Sequence, residues 1–410
     1  MKRSKILLID FWVKCPKIDY MFTVLPKLDV DIYLLGPYNS MAWLSNIINK
    51  NMICETDLHD PVRALSDLSV FQKEFDIKFD AIITFEDQLT LLASVLAQFN
   101  NCIHTPLKSL RMSSVNKLLF RQYYNSFENA HFIKSNIDLF SGKKLVYDLP
   151  KVIKPIFGSD GQGVRKIEPG TKTDVVLSYL QQSCSNSMQE FKNFNNKFML
   201  EDYVPGNVFS VDGIIQNDRI HFAGINQVTS SPEPYFMQIS NNIPAQITSH
   251  EEQFICNNMT DFFKFAGYNN MPFHAEIKYH DNKIYIIEIG CRAPGGQILK
   301  GYEQAFGFNF IEQVFNLYLG RPVSFKRQHT KHIHQKGVYI WKNCVVDDII
   351  VPKELPVTPD EFVMIAKPGD TNSYPKPEKP IYYYSVSADS AKALQNKARL
   401  LEQAIKIKTR

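Results

Sequence analysis

The stretch PFHAEIKYHDNKIYIIEIGCRAPGG, from Pro272 to Gly296, contains two short runs with strand-like alternation of side chains on either side of a polar turn. The runs cover residues 272–279 and 284–289, and this pattern predicts a β-hairpin. Successive side chains of a strand point to opposite faces, so His274 and Glu276 share one face of the first run. The hairpin therefore presents a polar face that is separate from its apolar face.

The length of the turn decides which residues face each other across this hairpin. A three-residue turn over 281–283 places Glu276 directly opposite Glu288, whereas a two-residue turn would put the two carboxylates on opposite faces. Facing carboxylates repel each other, and Glu288 lies in an apolar run where an unpaired charge is costly. A divalent cation would relieve the repulsion, and carboxylate oxygens suit magnesium. The alternative is that each carboxylate pairs with a neighbouring Lys or Arg side chain.

The composition narrows the class of protein. With 410 residues, 44% of them hydrophobic, the chain is expected to form two or three domains. The formal net charge is +4 and no long run of Lys and Arg occurs, so we do not expect nucleic acid as a partner. No apolar run is long enough to span a membrane, and seven cysteines without a CxxC pair indicate free thiols. We therefore expect a cytoplasmic protein without a membrane partner.

Residues 1–105 alternate between apolar runs and amphipathic segments. The runs KILLID, VDIYLLG and FDAIITF predict strands, and helical segments are expected near 40–49 and 87–99. This rhythm is typical of an open, largely parallel sheet. The first strand is not followed by GxGxxG, which argues against a dinucleotide site. Glu86 and Asp87 follow the third strand, where open sheets bind ligands, although acidic residues also favour a helix N-terminus.

Two stretches in the middle of the chain combine cations with glycines. Residues 112–127 have apolar residues at helical spacing, and Lys117 falls in the first helical turn, an unfavourable place for a cation unless an anion is nearby. In KVIKPIFGSDGQGVRKIE, residues 151–168, a strand ends at Lys154 and a glycine-rich loop leads into another strand. Glycines let backbone N–H groups converge on an anion. We predict a hairpin flap over phosphate groups, and the alternative is a plain glycine-rich hairpin.

The remaining elements are read from periodicity. A strand is expected to end at EDYVPG, residues 201–206, where a Pro-Gly bend exposes backbone groups that an adenine ring can use. Helices are predicted over residues 250–266, near 303–319 and over 388–408, with short strands across 321–380.

Taken in order, Lys117, KPIFGSDGQGV, EDYVPG, HAEIKY and IEIGCRAPGG resemble the motifs of the ATP-grasp superfamily. The resemblance covers about residues 110–320. Within the superfamily the sequence is similar to carboxylate-amine ligases of the L-amino-acid ligase and carnosine synthase type. The supporting signs are SVDGI after the Pro-Gly bend, PYF at 234–236, and IGCRAPGG where many relatives have Glu-Ile-Asn-Pro-Arg.

The resemblance implies a mixed fold, α+β with an α/β layer: an ATP-grasp fold preceded by an open parallel α/β domain. The expected division is residues 1–105 for that N-terminal domain and 106–203 for the small ATP-grasp subdomain with its glycine-rich flap. Residues 204–410 would form the large subdomain with a C-terminal extension.

The resemblance also assigns roles to individual residues. The expected nucleotide-binding residues are Lys117, Lys154, Gly158, Ser159, Gly161, Gly163, Glu201, Tyr203, Val204 and His274. Lys117 and Lys154 would grip the phosphates, and Glu201 would meet the adenine together with the backbone of Tyr203 and Val204. Glu276 and Glu288 would hold magnesium. Arg292, with Lys154, would be catalytic and would face the transferred phosphate.

Three positions need separate comment. Val208 stands where many relatives have a Glu that contacts ribose, and Gly290 stands where a metal-binding Asn often follows the second Glu. The first difference weakens the ribose assignment, and the second implies that magnesium takes water or another ligand. His274 is a candidate general base, with a ribose contact or a structural role as its alternatives.

The expected function is that of an ATP-dependent ligase. It would activate an amino acid carboxylate as an acyl phosphate and join it to an amine, most simply to make a dipeptide. The expected cofactors are ATP and Mg²⁺, with Mn²⁺ as a substitute, the partners are small-molecule substrates, and a homodimer is compatible with the resemblance. The alternatives are biotin carboxylase-like or nucleotide-biosynthetic chemistry, or a degenerate ATP-binding regulatory protein. Substrate specificity is expected from the segments 229–247 and 293–301.

Overall fold

A computed structural model describes residues 3–13, 16–37, 43–113, 115–140, 147–158, 161, 163–185, 197–373 and 379–410. Two larger antiparallel sheets enclose a cavity, a parallel sheet stands at the N-terminus, and a small sheet forms near the C-terminus. Among the described residues, no helix combines the length and apolar character that crossing a membrane requires.

The N-terminal sheet has four parallel strands in the order β3-β2-β1-β4. Its elements are β1 (Ser4–Ile9), α1 (Pro16–Val24), β2 (Val30–Gly36), β3 (Ile53–Glu55), α2 (Pro61–Glu74), β4 (Ala81–Thr84) and α3 (Thr90–Phe99). The three predicted strands and the parallel arrangement are confirmed. The predicted helix near 40–49 is wrong for the residues described there, which form only a 3-10 turn at Leu44–Asn46. Leu44 is buried and the Trp43 indole donates to the Trp12 carbonyl, so these apolar residues anchor a loop.

The smaller of the two antiparallel sheets has the strand order β5-β8-β6-β7. The elements of this region are α4 (Leu107–Arg111), α5 (Lys117–Asn125), β5 (Ile137–Phe140), β6 (Lys151–Pro155), β7 (Arg165–Ile167), α6 (Thr173–Ser185) and β8 (Phe198–Asp202). Asn116 caps α5 by accepting from the Leu119 N–H, which places Lys117 at the first helical position as predicted. A strand, β7, follows the glycine-rich loop, so the loop belongs to a hairpin with β6.

The larger antiparallel sheet has eight strands in the order β13-β12-β9-β10-β11-β14-β18-β16. The first part of this region contains β9 (Asn207–Gln216), β10 (Arg219–Ser230), β11 (Gln238–Ile243), α7 (Ser249–Ala266), β12 (Met271–His280), β13 (Lys283–Gly290), α8 (Gln297–Phe306), α9 (Phe310–Tyr318) and β14 (His332–Val338). The helix predicted over 250–266 is confirmed. The helix predicted near 303–319 is two helices, because Gly307 adopts a left-handed φ of 77° and Asn309 caps a new helix.

The C-terminal part completes this sheet and adds a three-stranded one, β17-β15-β19. Its elements are β15 (Cys344–Ile350), β16 (Glu361–Met364), β17 (Thr371–Asn372), β18 (Tyr382–Ala388), α10 (Ala391–Ala404) and β19 (Lys406–Thr409). The helix predicted over 388–408 is therefore shorter, and a strand follows it. The domain boundaries expected at residues 105 and 203 stay a prediction.

In the hairpin β12–β13, Glu276 and Glu288 face each other as predicted, but the turn that joins the strands is not the predicted one. Asp281 and Asn282 form a two-residue turn with φ of 47° and 56°, so His280 pairs with Lys283 rather than with Ile284. That turn alone would put the carboxylates on opposite faces. A β-bulge between Glu276 and Ile277 changes the register, and Glu276 lies opposite Glu288. The three-residue turn was wrong, and the facing carboxylates are confirmed.

The two faces of the eight-stranded sheet have different surroundings. One face, which includes Phe209 and Phe273, packs against α5 and α7 in a core rich in aromatic rings. The opposite face contributes Ile214 and Ile243 to a core shared with α8, α9 and the N-terminal sheet. The rest of that opposite face forms the floor of the cavity, and residues of β6 and β8 lie across from it.

Candidate active site

A cavity of about 520 Å³ lies between the two antiparallel sheets. It brings together residues that are far apart in the sequence, from the start of α5 to β18. Of the residues predicted for the site, those that line it are Lys117, Lys154, Gly158, Gly161, Glu201, Val204, His274, Glu276, Glu288 and Arg292. The motifs named in the sequence analysis thus converge on one space, although they span about half of the chain.

Lys117 and Glu288 both line this cavity and form an ion pair. The Lys117 Nζ lies 3.4 Å from Glu288 Oε2 and donates a hydrogen bond of 2.5 Å to the Gly158 carbonyl. Burial opposes ionisation of Glu288, but Lys117, Lys154, Arg292 and His274 together lower the pKa of this carboxyl group. Glu288 is therefore held as a carboxylate, and the unusual position of Lys117 in the first turn of α5 is explained by this anion.

Lys154, Glu201 and Arg121 form a buried network of ion pairs. The Lys154 Nζ is 2.5 Å from Glu201 Oε1, and the Arg121 Nε is 3.0 Å from Glu201 Oε2. Burial, with Arg121 and Lys117 nearby, lowers the pKa of Lys154 despite the Glu201 carboxylate. Burial opposes the charge of Glu201, but Lys154 and Arg121 outweigh it and lower the pKa of Glu201. The predicted adenine partner is thus engaged on both oxygens by cations.

Arg121 is the residue of this network that sequence reasoning missed. It is fully buried, and its Nη1 and Nη2 donate to the carbonyls of Ile286 and Ile287 at 2.7 and 3.1 Å. Arg121 therefore ties α5 to the bulge that sets the register of Glu288. A signal was present, since an arginine four residues after Lys117 lies on the same helical face as buried Phe120 and Tyr124.

His274 belongs to a hydrogen-bonded chain beneath the facing carboxylates. Its Nδ1 is 2.6 Å from Asp212 Oδ1 and its Nε2 is 3.6 Å from Glu276. Tyr302 and Ser210 donate to the other oxygen of Asp212, at 2.7 and 2.9 Å. Burial alone would lower the pKa of His274, but Asp212 and Glu276 raise it to about 10. An imidazolium has no free lone pair, so His274 does not suit the role of general base at neutral pH.

Arg292 is held by Asp87, which follows the last strand of the N-terminal sheet. The Arg292 Nε and Nη2 lie 2.7 and 2.6 Å from Asp87 Oδ2, and Nη1 donates to the Ala293 carbonyl at 2.9 Å. A Cβ at position 290 would lie 2.9 Å from Asp87 Oδ1, so Gly290 leaves the space that this carboxylate needs. The position where relatives carry a metal-binding Asn is thus taken up by the approach of Asp87. Glu86 pairs instead with Lys17, which also binds Asp10.

The bend after β8 differs from the prediction in its details. Tyr203 does not line the cavity, and its backbone N–H already donates to the Pro150 carbonyl at 3.1 Å. Val204 lines the cavity, but its carbonyl accepts a hydrogen bond of 2.5 Å from Lys278 Nζ. Burial, with Lys166 nearby, lowers the pKa of Lys278 to about 8 although Glu233 and Glu201 oppose the shift. An adenine contact with the Tyr203 N–H would require the bond to the Pro150 carbonyl to open.

The glycine-rich loop lies over the cavity. Gly161 and Gly163 have φ of 64° and 72°, values that favour glycine. Gly161 faces the Phe236 carbonyl, and the Lys166 N–H donates to the Pro234 carbonyl at 2.8 Å, so the loop contacts the segment 231–237. Gly163 packs on Pro155 and Phe198 and does not line the cavity. The predicted contact of Ser159 lies outside the described residues.

The donor chemistry at this site fits a divalent cation. Glu276 and Glu288 face each other across one rung of the sheet, and both line the cavity. Within the described residues no three His, Cys, Asp or Glu side chains are arranged to hold a metal ion. A pair of carboxylates suits magnesium, which usually keeps waters and binds substrate phosphates alongside one or two carboxylates.

Comparison with known proteins agrees with this geometry. Residues 147–300 match the sequence model of the ATP-grasp domain. The chain has an ATP-grasp fold. No protein of curated function matches the sequence.

Solved structures with an ATP-grasp fold resemble the whole chain. An L-amino acid ligase from Bacillus licheniformis superposes with a TM-score of 0.77 at 17% identity, covering 100% of both chains. A phosphoribosylglycinamide synthetase from Anaerococcus prevotii gives a TM-score of 0.67 at 11% identity, again over 100% of both chains. A biotin carboxylase from Campylobacter jejuni gives 0.64 at 13% identity, covering 100% of this chain and 92% of that one. At these identities the similarity establishes the ATP-grasp fold.

Proposed function

We propose that this protein is an ATP-dependent ligase that activates a carboxylate as an acyl phosphate and joins it to an amine. The observation that carries the proposal is the convergence, in one cavity, of two facing carboxylates, two lysines and an arginine beneath a glycine-rich loop. The resemblance to an L-amino acid ligase over the full chain supports an amino acid as the carboxylate substrate.

The reaction has two steps. A carboxylate oxygen attacks the γ-phosphorus of ATP, the bond between that phosphorus and the bridging oxygen breaks, and ADP leaves. The amine nitrogen then attacks the acyl carbon, the carbon–oxygen bond to phosphate breaks, and the amine gives up a proton. Neither step needs covalent chemistry from the protein, whose contribution is positioning and charge stabilisation.

The charged residues have distinct tasks in this scheme. Lys117 and Lys154 neutralise phosphate oxygens, and Arg292 stabilises charge on the transferred phosphoryl group with its planar set of donors. In this structure Lys154 is bound to Glu201 and Arg292 to Asp87, so each cation is already oriented. These two side chains therefore need to move little when ATP binds.

Glu276 and Glu288 would hold magnesium, which supplies charge neutralisation at the transferring phosphate. His274, protonated and bound to Asp212, lies beside Glu276 and orients that carboxylate. The glycine-rich loop excludes water, which would otherwise hydrolyse an acyl phosphate.

The test is release of ADP and phosphate from ATP, magnesium and amino acids offered singly and in pairs. A ligase gives rapid ADP release only when both a carboxylate and an amine substrate are present, together with a product whose mass equals the sum of the two less water. A carboxylase-like or nucleotide-biosynthetic enzyme would give no condensed product from amino acids. ATP binding without turnover under any condition would favour a regulatory protein instead.

A further inference from the structure

The cavity has a second end that the nucleotide and metal residues do not explain. Beyond Glu276 and Glu288, its floor continues along β10 and β11 to β14 and β18. The charged residues among those that line the cavity are Lys117, Lys154, Glu201, Asp202, His274, Glu276, Lys278, Glu288 and Arg292. All of them lie on or next to α5, β6, β8, β12 and β13. The described residues that line the second end carry no charge.

A row of polar side chains crosses the sheet beneath both ends of the cavity. Strand pairing, and between Asn226 and Asn241 a side-chain hydrogen bond, connects its members in the order Glu288, Glu276, Ser210, Asn226, Asn241, Gln335, Ser385 and Glu361. The four members from Ser210 to Gln335 are buried, although polar side chains in a sheet core cost free energy unless they are hydrogen-bonded. The buried polar groups of this row therefore need hydrogen-bond partners.

Several polar atoms in the middle of this row lack a partner in the protein. Among the described residues, no hydrogen-bond partner is found for Asn226 Oδ1, Gln335 Oε1 or Ser385 Oγ, nor for the hydroxyl of neighbouring Tyr383. Gln335 is only 1% exposed and lines the cavity. Its Nε2 donates to the Gln297 carbonyl at 2.9 Å, which fixes the orientation of the amide and leaves Oε1 as a free acceptor.

Apolar and aromatic residues complete this end. Met237 and Ile298 line it together with Tyr339 and Tyr383. Gly295 and Gly296 leave open space, since a Cβ at either position would meet nothing within 4 Å. The end thus combines apolar walls with a few neutral hydrogen-bonding groups, a composition that suits an uncharged organic side chain.

We propose that this end binds the side chain of an amino acid substrate and selects for an uncharged one, with Gln335 accepting a hydrogen bond from it. The inference rests on the proposed ligase function. A charged side chain would lose its hydration there, which is costly, because no charged residue among those described lines this end and Glu361, at the end of the row, already pairs with Lys300. Substrates with apolar, aromatic or amide side chains are favoured, and among those of similar size the ones with an N–H donor are preferred, because Gln335 Oε1 otherwise stays unpaired.

The test compares kcat/KM, from ADP release, for neutral amino acids (Leu, Phe, Met, Gln) and charged ones (Asp, Glu, Lys, Arg), paired in turn with each other. The proposal expects the best neutral substrate to exceed every charged one by about 10-fold or more, a difference typical of one buried contact. Gln335→Glu places a carboxylate at this end, and it should raise the relative kcat/KM for Lys or Arg by about 10-fold while KM for ATP changes less than about twofold. Gln98→Glu, the same change on the exposed face of α3, is the matched control and should leave the preference unaltered.

Gln335→Met is a second variant that tests the same residue if Gln335→Glu does not fold. It keeps the size and neutrality of the side chain but removes the acceptor, so the preference for Gln over Met as substrate should disappear. Charged amino acids used as well as neutral ones by the wild-type protein would overturn the proposal. So would an unchanged preference in a folded Gln335→Glu variant.

A binding measurement separates this inference from the proposed function. With ADP and magnesium present, neutral amino acids should raise the melting temperature more than charged ones do. If this shift occurs but no amino acid pair releases ADP, the ligase function fails and the neutral binding end stands. If neither is seen, both are overturned.

Discussion

The two ends of the cavity are built on one sheet but differ in how their polar groups are satisfied. At the end formed by β12, β13 and α5, each charge has an opposite charge nearby, as in the pairs Glu201 with Lys154 and Arg292 with Asp87. At the end formed by β11, β14 and β18, neutral groups such as Gln335 Oε1 have no partner among the described residues. The charged side chains are thus held in place before phosphate groups bind, whereas the unpaired neutral groups would gain hydrogen-bond partners from a ligand. Changes at the charged end should therefore affect all substrates alike.

The largest effect is expected from Arg121→Met. This substitution removes a fully buried cation, which leaves Lys154 as the cation paired with Glu201 and removes the Arg121 donors from the Ile286 and Ile287 carbonyls. The free energy of unfolding should fall by about 3–5 kcal/mol, as for other broken buried ion pairs. Urea denaturation measures it. The double variant Arg121→Met with Glu201→Gln should recover part of the loss, and no recovery would show that Arg121 acts mainly through packing.

Glu288→Gln probes the charged end directly. The amide keeps the shape of the side chain but removes the charge that faces Glu276, so kcat should fall by about 10²–10³-fold for every amino acid pair. Circular dichroism should show an unchanged fold. Glu252→Gln, at a surface pair with Arg327, is the control and should retain activity. A loss confined to some substrates would contradict the assignment of Glu288 to the phosphate end.

The His274–Asp212 pair predicts a dependence of stability on pH. Because the pKa of His274 is raised to about 10 in the folded state, the pair stabilises the protein fully below the unfolded value near 6.5. This stabilisation is then lost as pH rises towards 10. Between pH 6.5 and 8.5, the stability advantage of wild type over Asp212→Asn should shrink by about 2–3 kcal/mol. Urea unfolding at the two pH values measures this change, and an advantage that stays constant would mean that His274 is neutral.

Asp87→Asn tests the contact between Asp87, which follows the N-terminal sheet, and Arg292, which lines the charged end of the cavity. An amide cannot match the charge-assisted bonds from Arg292, so kcat should fall by about 10-fold while KM for ATP changes less than about twofold. Gly290→Ala should have a similar effect, because its Cβ would displace the Asp87 carboxylate. If Gly290→Ala lowers activity and Asp87→Asn does not, the loss comes from the backbone at position 290, and the contact between Asp87 and Arg292 does not contribute to kcat.

Much of the charged end could be predicted from the sequence, because its residues fall in short motifs with local periodicity. The facing pair Glu276 and Glu288, the hairpin flap and the placement of Lys117 in α5 are examples. The reason given for the facing pair was wrong, since the register comes from a bulge, where Arg121 of another element donates to two carbonyls. Local patterns cannot report such a contact.

The neutral end could not be predicted in the same way. Gln335 lies in HIHQKGV, a run whose alternation does not distinguish it from an ordinary strand residue. Its unpaired oxygen becomes evident only when β11, β14 and α8 are assembled around it. Asp87 was noticed at the end of β4, but its partner, Arg292, is 205 positions away. Contacts of this range depend on the packing of whole elements.

The most direct test of the proposed chemistry follows oxygen from the carboxylate substrate to phosphate. The protein is incubated with ATP, magnesium, an amine substrate and an amino acid whose carboxylate carries ¹⁸O, and the released phosphate is analysed by mass spectrometry. Activation as an acyl phosphate predicts one ¹⁸O atom in each phosphate released. Release of ADP with unlabelled phosphate would show that water, rather than the carboxylate, receives the phosphoryl group, and would contradict the ligase mechanism.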